Sequence, residues 1–127
     1  MADEIMKYHG VSKPRPAIYV SGPLSHGDVE ANVAEAMRIG SLLISEGFAP
    51  LVPHLTHFME KAHPHTYEEW ISLDLVWVRR SQALLRLPGF SPGADQEVRE
   101  AYHHQIPVFY DLSSLLKAYD GTPKEAK

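Results

Sequence analysis

The chain contains no cysteine, which removes disulfides, thiolate metal sites and a cysteine nucleophile and fits a reducing compartment. It has no apolar run near the ~20 residues that a membrane-crossing helix needs. Basic clusters are also missing. With a net charge of −4, a broad surface for nucleic acid or an anionic membrane is not expected. Neither a P-loop nor a G-x-G-x-x-G fingerprint follows a strand-like segment, which speaks against ATP or dinucleotide binding. Met1 to Gly10 are polar and lack the apolar centre of a signal peptide. These absences leave a cytoplasmic protein, no cofactor, and no membrane or nucleic-acid partner as the expectation.

What is present suits a single core. The 127 residues are 44% hydrophobic and 22% charged, an ordinary balance for one globular domain. Residues 1–16 end in Lys13-Pro14-Arg15-Pro16 and read as an extended, loosely held arm. Residues 17–120 carry the domain, and 121–127 form a polar tail.

Ala17-Ile18-Tyr19-Val20-Ser21 is a strand-like run stopped by Gly22-Pro23. From Asp28 to Glu46, apolar residues recur at helical spacing, with Gly47 just past the end. Phe48 to Val52 predicts a second strand, and residues 53–65 a loop with His54, His57, His63 and His65. Thr66 is placed to cap a helix running to about Arg80, with Glu68 and Glu69 in its first turn. Ala83 to Leu87 predicts a third strand and Pro88 to Gly93 a turn. A helix over Ala94 to His104, a strand over Pro107 to Tyr110 and a short helix over Leu112 to Tyr119 complete the domain. Such alternation predicts an α/β three-layer sandwich. Its centre is a doubly wound parallel sheet of four to five strands, flavodoxin- or Rossmann-like. In such sheets a ligand sits beyond the carboxyl ends of the strands, so the loops after Ser21, Val52, Leu87 and Tyr110 matter most.

Two segments stand out there. In Ser91-Pro92-Gly93-Ala94-Asp95-Gln96-Glu97, small residues open a helix. Gly93 and Ala94 would let a ligand approach the backbone. The helix dipole would favour an ionised Glu97, although acids are common in first turns for stability alone. On the preceding helix, Tyr67, Trp70, Asp74 and Trp77 form one stripe, with Ile71, Leu75 and Val78 beside it facing the core. An acid among aromatic rings points to a pocket for a flat polar base or to a subunit contact, against the plainer reading of a solvated edge. Ser21 and the N–H of Gly22 are placed to meet a sugar or phosphate, and Tyr19 alone would pass as a half-buried strand residue. The eight histidines invite a metal site. Loop histidines without cysteine are more often solvent-facing or pocket-lining, so no metal is expected, and His54 is read as a polar contact of the crevice.

Together, Ile18-Tyr19-Val20-Ser21-Gly22-Pro23, Trp70 to Asp74 and Ser91 to Glu97 resemble the nucleoside 2-deoxyribosyltransferase-like superfamily, over about residues 17–110. The resemblance implies cleavage of an N-glycosidic bond through a covalent glycosyl intermediate on Glu97. It implies that Asp74 is the acid handling the base and that Tyr19 lies near the sugar. Ser21, Gly22, Pro23, His54, Trp70, Ser91, Gly93 and Ala94 are then the substrate contacts. Ser91 lies six residues before Glu97, where the branch hydrolysing 2′-deoxynucleoside 5′-monophosphates carries serine and the transferases acting on free nucleosides tend to carry an acid. The reading is therefore hydrolysis of a nucleoside 5′-monophosphate, or base exchange on a nucleoside. Asp95 beside the turn argues mildly against a highly charged ligand. The resemblance also implies a homo-dimer or higher homo-oligomer. The competing reading is a non-catalytic nucleotide-binding or sensing domain of the same fold.

Overall fold

Alternation along the strands sets the layers. The computed structural model describes residues 14–119, so most of the expected arm and the tail lie outside the described residues. The chain is tied in from Arg15, whose guanidinium donates to the carbonyls of Ile44 at 3.1 Å and Phe48 at 2.7 Å. Four strands are described: β1 (Ala17–Ser21), β2 (Ala49–Leu51), β3 (Ala83–Arg86) and β4 (Val108–Phe109). They lie in the order β2-β1-β3-β4, and all three pairings are parallel.

Five α-helices connect and follow them: α1 (Val29–Ser45), α2 (Thr56–Ala62), α3 (Tyr67–Arg80), α4 (Pro92–His103) and α5 (Leu112–Ala118). The chain runs outward from β1 to β2, then crosses back to β3 and on to β4. That reversal separates the helices onto two faces. Ile18, Val20, Ala83 and Leu85 pack with Ala36, Ile39 and Leu43 of α1 and Leu115 of α5. Tyr19 and Leu84 pack on the opposite face with Val78 of α3 and Val98 and Ala101 of α4. The result is the expected three-layer, Rossmann-like α/β fold. Leu43 and Leu85 are fully buried or nearly so. Truncating either to alanine would cost about 2–5 kcal/mol.

The helix boundaries follow local chemistry. Asp28 accepts from the N–H of Ala31 and caps α1, and Gly47 past its end has φ +96°. Thr66 and Glu69 form a reciprocal capping box at α3, with N–H to oxygen distances of 3.1 and 2.9 Å.

Three expectations need correction. Residues 53–65 are not a plain loop, because Pro53–Leu55 makes a 3₁₀ turn that leads into α2. Pro53 occupies the first position of that turn, where its missing N–H costs nothing. α4 starts earlier than predicted, at Pro92, with Ser91 as its cap. On α3 only Val78 is buried, and Ile71 and Leu75 are half-buried.

Candidate active site

The period of two along β1 turns Tyr19 and Ser21 to the face that carries α3 and α4. Both side chains end on Glu97, which α4 delivers from above. The Tyr19 hydroxyl donates to Glu97 Oε2 at 2.9 Å, and the Ser21 hydroxyl donates to Oε1 at 2.7 Å. All three residues are buried, Glu97 being only 6% exposed. Each carboxylate oxygen therefore has its own donor, which suits an ionised group in a dry setting.

Asp74, half-buried on α3, adjoins Glu97 and Tyr19. Its pKa is pushed up to about 8, first by burial and then by the charge of Glu97. Glu97 is raised on balance as well, because burial outweighs the bonds from Ser21, Tyr19 and Asp74 and the charge of Arg86, which pull the other way. Two adjoining acids titrate as a pair. Asp74 is raised by the charge of Glu97, whereas Glu97 is lowered by the hydrogen bond from Asp74. Both acids are thus held above the ordinary carboxylate range and titrate together. Tyr19 is raised well above 10 by burial and by Glu97, so it remains a donor.

The loops after β1 and β3 lie against each other beside this group. The N–H of Leu87 donates to the Ser21 carbonyl at 2.7 Å. A Cβ on Gly22 would stand 2.9 Å from the Leu87 Cβ, so the approach requires glycine. Pro23 meets Gly89, which has φ +118°. Farther out, the rings of His26 and Phe90 meet edge to face at 5.1 Å.

The other predicted contacts have specific placements. His54 is buried, and its Nε2 pairs with the Pro23 carbonyl at 3.1 Å. Burial lowers its pKa and favours the neutral ring, and among the described residues its Nδ1 has no hydrogen-bond partner. Ser91 caps α4, accepting from the N–H of Ala94 at 3.0 Å. Gly93 faces Tyr67, whose hydroxyl would lie 3.4 Å from a Cβ there.

The aromatic stripe of α3 divides. Tyr67 and Asp74 approach α4, but the Trp70 indole N–H donates to Glu60 Oε1 at 2.5 Å and Trp77 is 45% exposed. Among the described residues no three histidine or acidic side chains converge as a metal cage.

Sequence reasoning missed Arg86. It is the residue across the sheet from Ser21, and its guanidinium bonds to the carbonyls of Leu87 and Gly89 and to Asp95. The signal was its place two residues past Leu84, which puts it on the face of Tyr19 and Ser21.

This is a doubly wound α/β domain with two adjoining acids, one buried and one half-buried, at the point where the strand order reverses. Residues 16–111 match a family described as a domain of unknown function (DUF7768), and the chain belongs to that family. No curated protein matches the sequence.

Proposed function

We propose that the protein cleaves the N-glycosidic bond of a nucleoside 5′-monophosphate, with Glu97 as nucleophile and Asp74 as acid. The observation that carries this reading is the pair of acids itself. One acid is supplied with two hydroxyl donors, and its neighbour holds a proton to about pH 8. Environments that push two carboxyl groups apart assign one to attack and the other to proton donation.

A carboxylate oxygen of Glu97 attacks C1′ as the C1′–N bond breaks. The bonding pair leaves with the base, and Asp74 gives its proton to a base nitrogen. Water then attacks C1′, its proton returns to Asp74, and Glu97 is released. A second base in place of water completes exchange instead. Tyr19 and Ser21 hold Glu97 in place throughout.

Two features support a phosphorylated substrate. The Ser91 hydroxyl accepts from Ala94 but still has its own proton to donate. Asp95 is neutralised by Arg86 at 2.9 Å, which weakens its repulsion of an anion. A cytoplasmic, self-associating protein fits this reading. Leu73, Val76 and Trp77, exposed at i, i+3 and i+4 on α3, support the association. Among the described residues no helix is long and apolar enough to cross a membrane.

The test is incubation of the protein with a panel of nucleoside monophosphates and free deoxynucleosides, with released bases separated by chromatography. Wild type should release base and Glu97→Gln should be slower by at least ~10³-fold. Equal rates, or no release from any member of the panel, would overturn the reading.

A further inference from the structure

Arg86 stands at the carboxyl end of β3, a position where an arginine would ordinarily extend into water. Here its side chain is only 11% exposed. One guanidinium nitrogen donates to the Leu87 carbonyl, and the other donates to Gly89 at 3.1 Å and to Asp95 Oδ1 at 2.9 Å. The first two acceptors lie in the turn leading to α4, and the third lies in the first turn of α4 itself. One planar group thus links the strand, the turn and the helix that carries Glu97. An arginine fork can do this because its donors are fixed in direction, and a lysine ammonium cannot reproduce that geometry.

The same residue is the register partner of Ser21, which donates to Glu97 Oε1. The groups facing Glu97 are Tyr19 and Ser21 from β1, Asp74 from α3 and Arg86 from β3. Arg86 is the only cation among them. Facing Arg86 in turn are Asp95 of α4 and Tyr110, which follows β4.

We propose that Arg86 is the positioning residue of this site: it fixes the turn from which α4 presents Glu97 and supplies the positive charge that Glu97 faces. Asp95 moderates that charge. The inference rests on Glu97 as the reacting group, but its test does not need turnover.

The experiment follows the carboxyl carbon of Glu97 by NMR during pH titration of the intact protein. Its midpoint should rise by about one unit in Arg86→Gln, because a nearby cation favours the carboxylate. Arg86→Lys should restore most of that shift. Asp95→Asn should move the midpoint the other way, downward, by removing the anion that shields Arg86. A purely structural brace would change melting temperature without these opposed shifts. Should Arg86→Gln fail to fold, the Asp95→Asn titration decides the matter. A Glu97 midpoint unchanged in Arg86→Gln, or in Asp95→Asn where Arg86→Gln does not fold, would overturn the proposal. Loss of base release by wild type is a separate result that bears only on the enzymatic reading.

Discussion

Tyr19 and Glu97, 78 positions apart in sequence, share a buried hydrogen bond of 2.9 Å. Ser21 completes the arrangement from the same strand at 2.7 Å. A hydrogen bond to a charged group contributes about 1.5–3 kcal/mol. Tyr19→Phe and Ser21→Ala should therefore each lower kcat/KM for base release by roughly tenfold or more. Both should also move the acid limb of the pH–rate profile upward, since Glu97 loses a donor to its ionised form. Steady-state rates over a pH series check both effects, and an unmoved acid limb would contradict the assignment.

On the proposed mechanism the alkaline limb belongs to Asp74. Its pKa of about 8 means that the proton needed by the departing base is lost above that pH. Base release should decline as pH rises through about 8, and Asp74→Asn should lack this limb. The variant should also be slower, by on the order of 10²–10⁴, the usual contribution of a general acid. Nucleotides with activated leaving groups should lessen the defect.

The same shift governs stability. The folded-state pKa of Asp74 lies above its ordinary 3.8, so the native protein holds a proton that the unfolded chain gives up. This contribution is fully present below about pH 4 and is lost as pH rises to about 8. Thermal melts at about pH 5 and about pH 9 should show wild type losing ground to Asp74→Asn at the higher pH. The relative change should reach about ten degrees, since the roughly three pH units between about 5 and about 8 correspond to up to about 4 kcal/mol. An equal pH response in both proteins would count against a protonated Asp74.

Gly89 tests the contact between the two loops. Its φ is +118°, and an added Cβ would stand 2.7 Å from Pro23 Cγ. Gly89→Ala should destabilise the fold by about 1–3 kcal/mol, read by denaturant titration. It should also impair base release, because the displaced turn leads to α4. Gly27 also has a positive φ, but has open space around it, so Gly27→Ala should pay only the backbone strain.

Much of the fold was legible because it rests on short-range chemistry. The caps at Asp28 and Thr66, the alternation in 17–21 and the breakers at Gly22-Pro23 and Gly47 each act within a few residues. Helix α2 is not legible because its seven residues are too few to show a helical period and no side chain caps its start. The convergence of Tyr19, Ser21, Asp74 and Glu97 was visible in part. Tyr19, Asp74 and Glu97 came from a family likeness, and Ser21 was assigned to the ligand rather than to Glu97. The bonds made by Trp70 and Arg86 are not legible in the sequence for one reason. Their partners, Glu60 for the indole and the 87–89 carbonyls with Asp95 for the guanidinium, are fixed only once the chain has folded.

Strand β1 serves two masters with alternate side chains, the oily layer through Ile18 and Val20 and the reactive layer through Tyr19 and Ser21. A one-residue deletion inside it would exchange these roles at a stroke, driving hydroxyls into grease and aliphatics against the acids. Length, more than composition, is thus the quantity this segment has to conserve.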